Sequence, residues 1–289
     1  MLDVAIITCA NLPEPDVDEP LLLRALAATG LRAAMFPWDG PGPRHPDARL
    51  SVVRSTWNYH HALPEFLAWV DEESRRAPLY NRADVIRWNT DKGYLAELGA
   101  AGLGVVPTVY VKRGSSQELA PIMTERGWAD VVVKPRVSGG SFATTRHALA
   151  GLRSGELAKA AESRALMVQP YMKAVDGRGE RSYVFIGGKL THAIRKNPRL
   201  AGQEESVTPV PLDEIDAKFA TRVLSFATAK FGEEPLYARV DVARDETNAP
   251  VVMELEMVEP SLFFVHSDAA LEKLAAAIAD RATASRASR

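Results

Sequence analysis

The chain has 289 residues, of which 46% are hydrophobic and 25% are charged, so it can bury a large core and form two or three lobes. Its 37 acidic and 35 basic side chains give a formal charge of −2, which excludes the basic excess typical of nucleic-acid binders. The single cysteine excludes a disulfide framework, no stretch approaches the roughly 18 apolar residues of a membrane span, and the first residues do not begin a signal peptide. We therefore expect a cytoplasmic α/β protein with neither a nucleic-acid nor a membrane partner.

Residues 1–90 alternate short apolar runs with helical patterns, and this alternation predicts a small parallel sheet. Acidic residues and Pro20 in a first helical turn predict a helix from about residue 18 that ends at Gly30. The other elements predicted here are strands over 4–8, 31–36 and 50–53, a loop over 40–43 and a helix over 63–76. We expect an N-terminal α/β lobe.

From residue 91 onward the pattern changes to hairpins, which predicts α+β lobes in place of a parallel sheet. Gly187-Gly188 is a two-residue turn signature that predicts a hairpin of strands 183–186 and 190–194. The other predicted elements are a helix over 91–101, strands over 131–133 and 166–169, a hairpin of 237–243 and 250–257, and a C-terminal helix that frays over 282–289. We expect three domains, over residues 1–90, 91–172 and 173–289.

An acidic hairpin carries the strongest functional pattern in the chain. Arg239 and Asp241 share one face of their strand, as do Glu254 and Glu256, and a symmetric six-residue turn places Arg239 opposite Glu254 and Asp241 opposite Val252. Three carboxylates on one sheet face repel one another unless a cation lies among them, and oxygen ligands suit Mg²⁺. The alternative is a solvated edge hairpin, but the other face of the second strand is wholly apolar.

Two further segments have the composition of a nucleotide site. Lys134 follows an apolar strand, and the loop Ser138, Gly139, Gly140 and Ser141 allows backbone N–H groups to approach phosphate oxygens. A purine could be held by the strand end formed by Gln169, Pro170, Tyr171 and Met172. Neither segment is specific alone, because glycine turns and strand-end lysines are common, and the loop is not a Walker A sequence.

Polar residues after the third predicted strand are candidates for substrate binding. Arg54, Ser55 and Thr56 stand where ligands of open α/β sheets bind, and Arg54 could hold a substrate carboxylate. A helix-entry loop that packs into a domain interface explains the same residues equally well. Farther along, the glycine turn places Glu180 opposite Arg195, which predicts a cross-strand ion pair. Either residue could still contact a ligand.

In their order, these segments resemble the ATP-grasp superfamily, in particular its glutathione synthetase-like and ribosomal-protein-modification-like branches. The resemblance covers roughly residues 91–264 and is carried by Asp91-Lys92, Lys134-Pro135, 138–141, 168–172, Glu180, 193–196, 239–241 and 254–256. It implies an ATP-grasp fold in which two α+β lobes clasp ATP, and residues 1–90 fit the pre-ATP lobe of the family.

The resemblance also implies roles for individual residues. Those that would bind ATP are Lys92 and Lys134 at the phosphates, 138–141 as a flexible lid, 169–172 at the adenine, and Glu180. Those that would bind two Mg²⁺ ions, for which Mn²⁺ could substitute, are Asp241, Glu254 and Glu256. Arg239 would stabilise charge at the reacting carboxylate, with Arg195 as a second catalytic arginine. The sequence departs from the family at Glu256, where Asn is usual, and at Ser182, where an arginine is often found.

The implied activity is that of an ATP-dependent carboxylate–amine ligase, which forms an amide through an acyl phosphate and releases ADP and phosphate. In size and two-lobed plan the chain is similar to the cyclo-ligase of cycloserine biosynthesis, which closes O-ureido-D-serine to D-cycloserine. We therefore expect a small amino-acid-like substrate. A glutathione- or dipeptide-forming ligase fits the same residues, as does a phosphotransferase on this fold. Ligases of the family are often dimers or larger, so a homo-oligomer is also expected.

Overall fold

The computed structural model describes residues 2–41, 45–197 and 206–287. Residues 2–80 contain a parallel sheet in the strand order β2-β1-β3-β4. Its elements are β1 (Leu2–Thr8), α1 (Glu19–Ala28), β2 (Ala33–Pro37), β3 (Ala48–Val53), α2 (Leu63–Arg76) and β4 (Leu79–Tyr80). The predicted small parallel sheet is therefore confirmed. The predicted loop over 40–43 can be checked only in part, because residues 42 and 43 lie outside the described residues.

Strand β1 is buried because both faces of this sheet are covered, as parallel sheets require. Ile6 belongs to one buried cluster with Leu26 of α1, and Ile7 belongs to another with Phe66 of α2. Alternate residues of a strand point to opposite faces, so two consecutive isoleucines serve two layers of core. The loop after β3 contains the short 3₁₀ turn Tyr59–His61, which leads into α2.

An antiparallel sheet in the order β5-β8-β6-β7 follows. This part of the chain contains α3 (Ala83–Asn89), α4 (Tyr94–Ala100), β5 (Val109–Val111), α5 (Leu119–Arg126), β6 (Asp130–Pro135), β7 (Thr145–Ala148), α6 (Glu156–Ala161) and β8 (Leu166–Pro170). Val131 and Val133 are buried with residues of α5 and α6. The alternation along β6 turns Val132 and Lys134 the other way, where both line a cavity.

The third sheet is antiparallel, in the order β11-β10-β9-β12-β13. Its region contains α7 (Ala174–Gly177), β9 (Glu180–Ile186), β10 (Lys189–Lys196), β11 (Val207–Val210), α8 (Glu214–Phe231), β12 (Tyr237–Arg244) and β13 (Pro250–Glu256). Both predicted hairpins are confirmed. The division of the chain at residues 90 and 172 stays a prediction.

The C-terminal helix α9 (Asp268–Ala287) packs mainly against α1 and β3 of the first lobe and also contacts β9 and β10 of the third sheet. Its Leu274 and Ile278 are buried in one cluster with Leu26 of α1. The predicted fraying from residue 282 is wrong through residue 287, because Ala282 is fully buried in this cluster. Among the described residues, no helix is both long enough and apolar enough to cross a membrane.

Candidate active site

A cavity of about 850 Å³ is lined by strand residues of the second and third sheets and by residues of the first lobe that lie outside its strands. Its charged lining residues are Glu14, Lys92, Lys134, Glu180, Lys196, Arg239, Glu254, Glu256 and Glu259. Its aliphatic lining residues are Val106, Val132, Val175, Met172 and Met253. A cavity that combines a charged cluster with an apolar wall suits a ligand with both a charged and a flat apolar part.

The acidic hairpin has a different register from the one that a symmetric turn predicts. Arg239 pairs with Glu256 and Asp241 pairs with Glu254, so the predicted pairs of Arg239 with Glu254 and of Asp241 with Val252 are wrong. There are two causes: the turn is one residue shorter than predicted, because Arg244 pairs with Pro250, and a β-bulge after Asp241 gives β13 one residue more than β12. The shared charged face is retained, because Arg239 contacts both Asp241 and Glu256.

Cations of the chain neutralise these carboxylates. The Arg239 guanidinium donates to both oxygens of Asp241 at 2.9 Å, and Lys196 donates to Asp241 Oδ2 at 2.6 Å. Glu254 Oε1 lies 3.0 Å from Lys92 Nζ. Burial works against the charge of Asp241, but Arg239 and Lys196 outweigh it and hold the pKa of this carboxyl well below its usual range.

Glu256 shows that the cluster holds more negative charge than its cations offset. Burial raises the pKa of Glu256 to about 8 even though Arg239 contacts it, and Glu254 and Asp241 add to the rise. Within the described ranges, no three metal-ligating side chains are already grouped as a metal centre. The residues nevertheless fit Mg²⁺, because carboxylate oxygens are its preferred ligands and a divalent cation would offset the surplus charge.

Two lysines face this cluster from the second sheet and the helix region before it. Lys92 Nζ donates to the Ser138 carbonyl at 2.7 Å. Burial opposes the charge of Lys92, but Glu254 and its neighbours outweigh this and raise the pKa. Burial lowers the pKa of Lys134, whose ammonium group has no hydrogen-bond or ion-pair partner among the residues that the structure describes. Lys134 is therefore available to an anionic ligand.

The Ser-Gly-Gly-Ser loop lies along the cavity, and all four of its residues line it. Gly140 and Ser141 have φ values of 54° and 59°, so the loop passes through the left-handed region that favours glycine. The ring of Phe142, next in the chain, lies 4.7 Å from the ring of His60 and 4.9 Å from that of His61. The loop thus reaches across to the first lobe.

The predicted purine-binding residues Gln169, Pro170, Tyr171 and Met172 also line the cavity. Gln169 Nε2 donates to Thr108 Oγ1 at 2.9 Å, which fixes the amide of this buried residue. Together with Val132 and Met253 these residues give the cavity a largely apolar wall.

The predicted ion pair between Glu180 and Arg195 is wrong. A register shift between Leu190 and His192 places Lys196 opposite Glu180, and Lys196 Nζ lies 2.5 Å from Glu180 Oε1. Arg195 does not line the cavity, and its guanidinium donates to the carbonyls of residues 177 and 178. Because of this bulge, Lys196 lies on the face of the sheet that was predicted for Arg195, and Arg195 lies on the other face.

The predicted substrate residues Arg54, Ser55 and Thr56 are buried and do not line the cavity. Arg54 Nη2 donates to the Pro260 carbonyl at 3.0 Å, and the guanidinium lies 5.0 Å from the centroid of the Tyr237 ring. In this structure Arg54 therefore contacts the chain outside the cavity, and its role in substrate binding stays a prediction. The residues that follow in the same loop, Trp57, Asn58, His60 and His61, line the cavity instead.

Sequence reasoning missed three charged residues of the cavity, Glu14, Lys196 and Glu259. Lys196 directly follows Arg195, but only the bulge decides which of the two faces inward, and a bulge leaves no trace in the residue pattern. Glu259 lies beyond the end of β13, where period-2 reasoning no longer applies. Burial raises the pKa of Glu259 to about 7. An acidic residue next to a proline after an acidic strand was the only available signal.

Comparison with known proteins agrees with this geometry. Residues 4–81 match the family described as D-cycloserine synthetase DcsG, N-terminal domain. The chain is 32% identical over 295 residues to the cycloserine biosynthesis protein DcsG of Streptomyces lavendulae, across 96% of this chain and 98% of that protein. The crystal structure of D-cycloserine synthetase DcsG has a TM-score of 0.85 at 29% identity and covers 96% of this chain and 99% of its own.

A more distant solved structure shows the wider fold. The ATP-grasp ligase PsnB, in complex with its minimal precursor, Mg and ADP, has a TM-score of 0.65 at 15% identity and covers 98% of this chain and 100% of its own. The ATP-grasp resemblance of the sequence is thereby confirmed. Because the identity to DcsG extends over nearly the whole of both chains, this chain belongs to the DcsG family, and it has the fold of the ATP-grasp ligase PsnB.

Proposed function

We propose that this chain uses ATP and Mg²⁺ to close O-ureido-D-serine into D-cycloserine. The observation that carries the choice of substrate is the similarity to DcsG along nearly the whole chain. The cavity supports the use of a nucleotide, because lysines, carboxylates and an apolar wall meet in it. PsnB, whose structure holds Mg and ADP, has the same fold and supports the choice of Mg²⁺ and an adenine nucleotide.

Lys92 and Lys134 would hold the nucleotide phosphates, since both ammonium groups face the cavity and Lys134 has no other partner among the described residues. Residues 169–172 would line the adenine, Glu180 would contact the nucleotide, and residues 138–141 would close over the phosphates. The reach of this loop to the first lobe would exclude water, which otherwise hydrolyses an acyl phosphate.

Glu254 and Glu256, which line the cavity, would hold the metal, and two ions are expected, with Mn²⁺ as a substitute. Both oxygens of Asp241 are engaged by Arg239 and Lys196, so Asp241 reaches a metal only when one of these cations releases it. Bound Mg²⁺ would supply charge neutralisation at the transferring phosphoryl group. Arg239 would orient the substrate carboxylate and stabilise the charge that develops on it.

The atoms of the proposed reaction balance in two stages. A carboxylate oxygen of the substrate attacks the γ-phosphorus, ADP leaves, and the ureido nitrogen next to oxygen then attacks the acyl carbon, so that phosphate leaves and the ring closes. The ring still carries the carbamoyl group on nitrogen, and its hydrolysis consumes one water and releases carbamic acid as CO₂ and ammonia. The chain binds, orients and shields these groups. The loop 138–141 must exclude water until the ring has closed and then admit the one water that hydrolyses the carbamoyl group.

The test is ADP and phosphate release by the purified protein with Mg-ATP and O-ureido-D-serine, with products identified by mass. We expect stoichiometric ADP, phosphate and D-cycloserine, and no release without the amino acid. A phosphorylated product would make the chain a phosphotransferase. Turnover only with a second amino acid present would make it a dipeptide-type ligase. Either result would overturn the proposed cyclisation.

A further inference from the structure

The segment 259–264 contributes residues to the cavity lining, and first-lobe side chains fix its backbone through hydrogen bonds. Trp57 Nε1 donates to the backbone carbonyl of Glu259 at 2.9 Å, and Arg54 donates to the next carbonyl. The Asp18 carboxylate accepts hydrogen bonds from three consecutive N–H groups of the segment at 2.7–2.9 Å. The position of the Glu259 backbone is therefore fixed, while its carboxyl group points into the cavity.

Within the part of the chain that the structure describes, no other residue forms a hydrogen bond or an ion pair with the carboxyl group of Glu259, which has only its own backbone N–H as a donor. A side chain added at Gly139 would place its first carbon 3.7 Å from Glu259 Oε1 and 3.7 Å from His60 Nδ1, so both groups lie next to Gly139. Segments from three parts of the chain thus converge here. Glu259 is half-buried, and a carboxylate partly withdrawn from water without a cationic partner is unfavourable, which indicates that a ligand supplies one.

The neighbouring cations of the chain are engaged elsewhere. Lys92 donates to the Ser138 carbonyl and pairs with Glu254. Burial lowers the pKa of His60 to about 4, so this ring is neutral at physiological pH and brings no positive charge to Glu259. The partner that completes the site must therefore be a positively charged or strongly donating group of the bound substrate.

Arg239 gives the orientation of that substrate. Its Nη1 donates to the Ser261 carbonyl at 3.2 Å, so the guanidinium lies against the same segment that carries Glu259. A cation and an anion held by one short segment match the carboxylate and the α-ammonium of an amino acid, which are two bonds apart. We infer that Glu259 binds the α-ammonium group of the substrate and restricts the site to amino acids. The inference rests on the proposed function for the position of the carboxylate.

The experiment compares O-ureido-D-serine with its desamino analogue, 3-(ureidooxy)propanoic acid, which differs only in the α-amino group. The variants are Glu259→Gln, which keeps the shape, and Glu259→Asp, which keeps the charge. Glu246→Gln, in the exposed turn before β13, is the matched control. For each protein, kcat and KM are measured for both substrates, and the Kd of a Mg-ATP analogue reports whether the nucleotide site is intact.

Glu259→Gln should raise the KM for O-ureido-D-serine about 10- to 100-fold, the range for loss of one hydrogen bond to a charged group. The same variant should leave the KM of the desamino analogue and the Kd of the nucleotide within about twofold. The KM of Glu259→Asp for O-ureido-D-serine should lie between those of the wild-type protein and Glu259→Gln. Equal losses for both substrates would identify Glu259 as a metal-site or structural residue, and no loss would remove it from the site; either result overturns the inference.

The design separates this inference from the proposed function. If the wild-type protein does not turn over O-ureido-D-serine, calorimetry with the Mg-ATP analogue and a panel of D- and L-amino acids with their desamino analogues replaces the kinetic assay. An amino acid that binds more tightly than its desamino analogue, with the preference lost in Glu259→Gln, would support the ammonium site on another substrate. A panel without binding, or a preference that survives the substitution, would refute it.

Discussion

Lys196 and Arg195 are neighbours on β10 that make contacts on opposite sides of the sheet, so they offer a matched test of the active-site assignment. Lys196 Nζ lies 2.5 Å from Glu180 and 2.6 Å from Asp241. Among the described residues, Arg195 donates only to two backbone carbonyls, at 2.9 and 3.0 Å. We expect Lys196→Met to abolish turnover and Arg195→Met to leave kcat within about twofold.

The same contacts set the expected loss of stability. The Lys196 side chain is 12% exposed and that of Asp241 is 1% exposed, and removal of one partner from a buried ion pair costs about 3–5 kcal/mol. We expect the low end, about 3 kcal/mol, because Arg239 stays on Asp241 and Glu180 reaches the cavity. Arg195→Met loses hydrogen bonds to neutral carbonyls at a partly exposed site, which should cost about 1–2 kcal/mol.

Urea unfolding gives the stability of each variant, and phosphate release with Mg-ATP and O-ureido-D-serine gives its activity. A double variant, Lys196→Met with Glu180→Gln, removes the stranded carboxylate and should recover part of the stability without recovering turnover. If Arg195→Met abolished turnover in a stably folded protein while Lys196→Met remained active, the face assignment of β10 would be wrong. Equal effects of both substitutions would mean that neither cation is specific to the site.

Four further outcomes are expected. Lys134→Met should raise the Kd of ATP by at least about tenfold in calorimetry with little change in stability, because the ammonium has no partner among the described residues; unchanged affinity would place the phosphates elsewhere. Glu254→Gln should abolish Mg²⁺-dependent turnover while circular dichroism stays unchanged, and surviving turnover would contradict the metal assignment. Arg54→Leu should lower the free energy of unfolding by about 2 kcal/mol, whereas a raised KM at unchanged stability would restore a direct substrate role. The pKa of Glu259, raised to about 7 by burial, disfavours the ionised form in the fold. The contribution of the protonated Glu259 carboxyl to the free energy of unfolding is therefore fully present below about pH 4.5 and is lost as the pH rises to 7. Without ligand, Glu259→Gln should gain up to about 3 kcal/mol relative to wild type between pH 5 and 8 in urea unfolding, and a constant difference would contradict this cause.

The residue pattern was sufficient for the charged face of the acidic hairpin but not for its pairing. Alternation along β12 places Arg239 and Asp241 together, and the structure confirms their contact. The pairing across the hairpin depends on the length of the turn and on where the chain inserts the extra residue of the bulge, and together these shift the pairs by two residues. An error of this kind moves partners along the strand without moving side chains to the other face.

Long-range contacts explain the other errors. Arg54 does follow a parallel strand, as expected, but Pro260 and Tyr237, about two hundred residues away in the chain, cover it. Helix α9 was correctly located, but the burial of Ala282 in one cluster with Leu26 of α1 could not be read from its own sequence. Neither contact has a local signature, because each depends on how the C-terminal part of the chain returns to the first lobe.

The ion pairs within the chain also account for how a metal and a nucleotide can share this site. Lys92 is paired with Glu254, and Arg239 with Glu256, so cations suited to phosphate or carboxylate neutralise carboxylates suited to Mg²⁺. A ligand that brings both signs of charge lets each of these side chains exchange one partner for another. ATP alone would leave the carboxylates without their cations, and Mg²⁺ alone would leave the lysine and arginine without their anions, which are costly states for buried charges. The arrangement therefore favours the magnesium complex of the nucleotide over either component, and the affinity for ATP should depend steeply on Mg²⁺.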